Sequence, residues 1–146
     1  MAKGDGTMGV KFLKVAVIYF LIGVAFGLYM ELADQHQYSG VHAHVNLLGW
    51  VSMGIAGLIY VLFPKAGESA LAKVHFWLHN IGTPIMMIAL FLLLYLEQDT
   101  PYGPIIGVGA ILIILGVLLF AINVIKNVKA KDASQLYEAV KRNFTA

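Results

Sequence analysis

Five histidines carry most of the reactive chemistry in this sequence, and four of them fall within apolar stretches. They are His36, His42, His44, His75 and His79. Ionisable groups inside a membrane-spanning segment are costly and are functional candidates by default. The sequence has no cysteine, which excludes disulfides, thiolate metal sites, iron–sulfur clusters and covalently attached c-type haem. The histidines therefore point to a ligand held by imidazole nitrogen.

His42 and His44 are two residues apart, so on a helix their side chains point about 200° from each other. They cannot easily hold the same metal, but they can serve two sites on opposite sides of the helix. Neutral imidazole is a common axial ligand of haem iron. We expect haem b as the cofactor, one or two per protomer or shared in a dimer, with Asn46, Gly49 and Trp50 lining the site.

His75 and His79 are one helical turn apart and lie on a single face. This spacing could clamp a transition metal. It could equally form a polar stripe that meets Asn80 and Thr83 inside a bundle, and this structural interpretation is favoured. We expect His44 near one membrane boundary and His79 closer to the other, roughly 20 Å apart across a bilayer core of about 30 Å, and hence in separate sites.

The site near His44 needs further ligands. Candidates are His36, Met30, water or a neighbouring subunit. A non-haem alternative is a zinc or copper site built from Glu31, Asp34, His36 and His42, because these side chains are chemically suitable ligands.

The composition indicates that these residues are positioned by membrane-spanning helices. The chain is 60% hydrophobic and only 12% charged, with a mean hydropathy of +0.79, whereas soluble domains are about 25% charged. Four apolar stretches have the ~20 residues that a helix needs to cross the bilayer. The sequence predicts an all-α membrane protein, a single domain over 1–146 with a four-transmembrane-helix bundle spanning 10–33, 41–64, 72–97 and 103–127.

The charges predict the orientation. All ten basic residues fall on one side of these spans, whereas the two other loops carry only acidic charges: Glu31, Asp34, Glu97 and Asp99. The positive-inside rule then places both termini in the cytoplasm, in a prokaryotic inner membrane. A short amphipathic helix is expected on the inner surface over 133–144. The net charge of +2 gives no reason to expect nucleic acid.

Small residues at packing spacing indicate close helix contacts, as in the GxxxG pair Gly23 and Gly27. A four-helix bundle of this size has few other surfaces against which its helix faces can be buried. A homodimer within the membrane lipid is therefore expected.

The run VHAHVNLLGWVSMGIAGLIYVLFP, followed by KVHFWLHNIGTPIM, resembles the catalytic subunit of haem-copper oxidases, most closely the cbb type, and the related nitric oxide reductases. The likeness covers about residues 20–96 and corresponds to the ninth to eleventh helices of that subunit, with the fourth span standing where the twelfth would be. The resemblance implies that His42 is the proximal ligand of the high-spin haem and that His44 is an axial ligand of the low-spin haem b.

The copper-binding histidines of that family have no counterpart in this sequence, so a complete oxidase is not expected. The expected function is electron transfer or binding of a diatomic gas such as oxygen or nitric oxide, with a redox protein or quinol as a further partner. A haem carrier or assembly protein, the non-haem metal protein and a purely structural subunit remain as alternatives.

Overall fold

The computed structural model describes residues 8–130 together with 132, 134, 137, 138, 141 and 142. Four helices in these residues are long and apolar enough to cross a membrane. They are called spans 1 to 4 below and cover Met8–Leu32, His36–Leu62, Ala70–Leu96 and Tyr102–Asn127. This described part of the chain contains no strand. The prediction of an all-α, multi-pass membrane protein is confirmed.

Spans 1, 3 and 4 lie close to their predicted bounds, but span 2 begins at His36 rather than at 41. It ends at Leu62 because Phe63 precedes Pro64 and adopts a non-helical conformation, with φ −123 and ψ 81. Span 3 begins after Ser69, whose side chain accepts a hydrogen bond from the backbone N–H of Ala72. The surface helix predicted over 133–144 lies largely outside the described residues.

Span 2 is not a uniform α-helix. A 3₁₀ turn over His36–Tyr38 leads into an α-helix over Ser39–His44, then a π-helix over Val45–Ser52, then a second α-helix over Met53–Leu62. The π-helix has wider turns than an α-helix, and such segments inside α-helices are frequent at functional sites. It follows directly on the two-histidine motif, and no sequence pattern predicted it.

The spans pair as two antiparallel hairpins in which glycines allow close backbone approach. A Cβ added to Gly9 in span 1 would come within 2.7 Å of the Gly57 carbonyl oxygen in span 2. In the second hairpin, a Cβ on Gly82 in span 3 would come within 2.8 Å of the Gly109 carbonyl oxygen in span 4. The predicted packing role of the small residues is confirmed at Gly57 and Gly109, whereas Gly9 and Gly82 are packing positions that the sequence did not predict.

Two clusters of buried side chains form the core. One lies towards the basic end of the bundle, where the lysines at the ends of the spans are found, and consists of Phe12, Ala16, Met53, Ala56, Tyr60, Ala66 and Ala72. The other lies towards the opposite end and consists of Val41, Val45, Met86, Met87 and Ile113. Polar side chains cross between the hairpins at the first of these clusters, and they determine the surroundings of two of the histidines.

Candidate functional site

His42 faces span 1 within the first hairpin. A Cβ on Gly27 would come within 2.8 Å of the His42 ring carbon Cε1, and a Cβ on Gly23 would overlap the Asn46 side chain. The GxxxG pair of span 1 therefore makes room for His42 and Asn46 of the same chain. The amide of Asn46 donates to the His42 carbonyl at 2.9 Å, whereas both ring nitrogens of His42 lie 3.5 Å from Asn46 Nδ2, at the outer limit of a hydrogen bond.

His44 lies on the other side of the helix and is exposed on the outer surface of the bundle. The predicted opposite-face geometry of the pair is therefore present. The Nδ1 atom of His44 is 2.7 Å from the carbonyl oxygen of Gly40. Since a carbonyl can only accept, Nδ1 carries the hydrogen, and the lone pair of the neutral ring lies on Nε2. Metal-binding histidines are commonly oriented by this type of hydrogen bond to a backbone carbonyl.

Two other candidate residues pack against span 1. Gly49 lies beneath the Tyr19 ring, which a Cβ at this position would overlap. Trp50 packs on Phe20 with ring centroids 4.2 Å apart. The small size of Gly49 thus accommodates an aromatic side chain of the same hairpin, while Trp50 remains 40% exposed at the surface.

The further ligands suggested by the sequence do not converge. His36 Nε2 lies 3.2 Å from the Asp34 carboxylate, and both side chains are exposed. Met30 is buried. No three His, Cys, Asp or Glu side chains of the described residues come together as a metal site. The alternative non-haem site built from Glu31, Asp34, His36 and His42 is therefore not assembled within one subunit.

His75 belongs to a buried polar network between the hairpins. Its Nδ1 lies 3.1 Å from the hydroxyl of Tyr60. That hydroxyl also accepts from Asn123 Nδ2 at 3.4 Å. His75 Nδ1 is the one acceptor that the described residues offer to the buried hydroxyl hydrogen, so Tyr60 donates to His75. Asn123 donates to the Ala66 carbonyl as well, at 3.0 Å. This network joins spans 2, 3 and 4. It differs from the predicted polar stripe, because His75 contacts Tyr60, whereas Asn80 donates to the Phe76 carbonyl.

Tyr60 and Asn123 are both fully buried, and no sequence pattern predicted that they would join the spans. A signal for Asn123 was present, since an asparagine in an otherwise apolar span is a candidate for an interhelical hydrogen bond.

His79 also contacts span 2. Its Nε2 donates to the Leu48 carbonyl at 3.0 Å, within the π-helix. The buried His79 Nδ1 and Thr83 Oγ1 have no hydrogen-bond partner in the part of the chain that the structure describes. His79 is thus at the level of Leu48, only four residues from His44 along span 2. The predicted separation of roughly 20 Å is wrong because spans 2 and 3 begin at His36 and Ala70, which brings both histidines closer to the middle of the bundle.

An apolar cavity of about 230 Å³ lies between the hairpins, with Phe26, Val41 and Val45 in its wall. Neither His42 nor His44 lines it, and its volume is below the 300–1,000 Å³ typical of ligand pockets. The donor chemistry of His44 fits an axial haem ligand, but the second wall of such a site has to come from another subunit or protein.

No protein-family model, curated protein or solved structure matches this chain. The resemblance to haem-copper oxidases therefore stays a prediction that rests on the motifs themselves.

Proposed function

We propose that this protein binds haem b in the membrane with His44 as an axial ligand, and that it acts in electron transfer or in binding a diatomic gas. The observation that carries the proposal is the orientation and tautomer of the His44 ring. The Gly40 carbonyl fixes its orientation and tautomer through Nδ1, at 2.7 Å, and Nε2 makes no hydrogen bond to the described residues. This is the arrangement that an iron-ligating imidazole requires.

The position of His44 supports the same proposal. Span 2 runs over His36–Leu62, so His44 lies about 12 Å from the start of the helix and within a hydrocarbon core of about 30 Å centred on the span. A polar group that faces lipid without a hydrogen-bond partner costs several kcal/mol of free energy. Its neighbours Leu47 and Val51 are exposed and apolar, and they offer apolar surface to a porphyrin.

The surface position of His44 favours a homodimer in which a second copy covers the site. Haem, when bound, supplies an iron that is redox active or that binds a gas, depending on its sixth ligand. A second imidazole, such as His44 of another copy, favours electron transfer, whereas a vacant sixth position favours gas binding. Carbon monoxide difference spectra separate these two outcomes, because only the second form binds the gas readily.

Haem content of purified variants tests the proposal. We expect His44→Ala to lose most of its haem in a pyridine haemochrome assay after expression with ample haem. We expect His36→Ala, an exposed histidine outside the core, and His75→Ala, a buried one, to retain it. Equal haem content in all three variants, or a colourless wild type, would refute the assignment.

A haem carrier or assembly protein is a second candidate, favoured by the exposure of His44. Haem bound at a surface position dissociates easily and can be transferred to another protein. Rapid transfer from the purified protein to an apo-globin would support the carrier, and retention over hours would support the resident cofactor.

We also infer that both termini face the cytoplasm of a prokaryotic cell. The basic residues lie at the end of the bundle that holds the two termini. The loops at the opposite end carry only acidic charges. Lysine and arginine are retained on the cytoplasmic side of membrane proteins.

A further inference from the structure

A crevice between spans 2 and 4 has a polar base inside an otherwise apolar membrane domain, and we propose that it binds the ring of a quinone or quinol. The crevice has a volume of about 190 Å³, and Ser52, His75 and His79 lie in its wall. The site is separate from His44 and stands whether or not haem is bound there.

The crevice is accessible from the lipid. Its apolar walls include Ile55 of span 2 and Val117 of span 4, whose side chains are 54% and 43% exposed on the outer surface of the bundle. Phe120 lies deeper, against the ring of His75 with centroids 5.2 Å apart. A ligand dissolved in the bilayer can therefore enter sideways and keep its isoprenoid tail among the lipids.

The polar groups at the base offer one donor and one acceptor. Tyr60 donates its hydroxyl hydrogen to His75 Nδ1 at 3.1 Å, so the neutral ring carries its hydrogen on Nε2, which has no partner among the described residues. Ser52 Oγ donates to the Leu47 carbonyl at 2.7 Å and keeps its lone pairs free to accept. A quinone carbonyl matches the imidazole donor, and a quinol hydroxyl matches the serine acceptor.

The volume suits a single ring. An apolar protein cavity of about 150 Å³ binds benzene, so about 190 Å³ accommodates one six-membered ring with small substituents. Larger fused cofactors exceed this space. The apolar walls and few polar groups are those of small-molecule sites, and the volume is below the roughly 300–1,000 Å³ of drug-sized pockets because only the ring has to be enclosed.

The location suits a redox partner of the proposed haem. Ser52 and His44 belong to the same span and are eight residues apart. Electron transfer between the two sites rests on the proposed function, whereas binding in the crevice does not.

Binding of ubiquinone-1 to the purified protein in detergent micelles tests the site, in preparations with and without haem. Val117→Phe fills the crevice from its lipid-facing wall. Val108→Phe is the matched control, because Val108 is also an exposed valine of span 4 but does not line the crevice. We expect Val117→Phe to weaken binding by on the order of tenfold or more and Val108→Phe to leave it unchanged, since overfilled sites exclude ligand.

Ser52→Ala is expected to weaken binding of the quinol form more than that of the quinone, because the hydroxyl loses its acceptor. Decylbenzene, which lacks oxygen, is expected to compete poorly. The proposal is overturned if Val117→Phe binds ubiquinone-1 as wild type does, or if decylbenzene competes equally well and thereby reveals apolar adsorption only. Unaltered haem content in Val117→Phe distinguishes loss of this site from loss of the haem site.

Discussion

The hydroxyl of Tyr60 joins three spans, and removing it with Tyr60→Phe isolates the contribution of one buried polar group. The ring contacts with Phe12 and Phe120 are kept by phenylalanine. Asn123 loses a contact of 3.4 Å but keeps the Ala66 carbonyl at 3.0 Å. His75 Nδ1, in a side chain only 2% exposed, loses its hydrogen-bond partner.

The expected destabilisation is therefore that of one lost hydrogen bond with an acceptor left buried. Such an orphaned group costs about 1–3 kcal/mol in proteins, and interhelical hydrogen bonds in membranes contribute about 0.6 kcal/mol on average and up to about 1.7. We expect a loss near 1–2 kcal/mol, because the His75 side chain is only 2% exposed and its Nδ1 atom is left without a partner. This corresponds to a shift in the unfolding equilibrium on the order of tenfold.

Reversible unfolding in mixed lipid–detergent micelles, followed by circular dichroism as dodecyl sulfate is added, measures this shift. Tyr95→Phe is the control, because the Tyr95 side chain is 64% exposed, and its effect should stay within about 0.5 kcal/mol. In a His75→Leu background the effect of Tyr60→Phe should fall towards that of the control, since the interaction is already absent. Equal effects of Tyr60→Phe in both backgrounds would refute the proposed bond.

Two further predictions concern packing and orientation. Gly82→Ala should destabilise the protein by about 1–3 kcal/mol, because the new Cβ would lie 2.8 Å from a backbone oxygen of span 4. Gly107→Ala has open space around the new Cβ and should stabilise the helix by roughly 0.5–1 kcal/mol. Thermal unfolding of the two variants measures both effects. Because the sequence has no cysteine, the orientation can be mapped with single-cysteine variants. In intact cells, Gln98→Cys should react with a membrane-impermeant maleimide, whereas Lys129→Cys should react only after permeabilisation. The reverse pattern would contradict cytoplasmic termini.

The fold class could be predicted because hydropathy and helical period are local properties. Runs of apolar residues define the four spans, and a rotation of 100° per residue separates His42 from His44 irrespective of the rest of the chain. The start of span 2 was predicted too late because polar residues around His36 interrupt the apolar run, although the backbone there is already helical.

The surroundings of each histidine were decided by contacts between spans that are distant in the sequence. Only packing shows that Gly27 accommodates the ring of His42, that Tyr60 is hydrogen-bonded to His75 and that the carbonyl of Leu48 accepts from His79. The sequence by itself determined a four-span helical membrane protein with its two motif histidines on opposite faces, because these follow from short-range periodicity. The tertiary structure decided which polar groups are satisfied and which remain open to a ligand, because that depends on which helix faces meet.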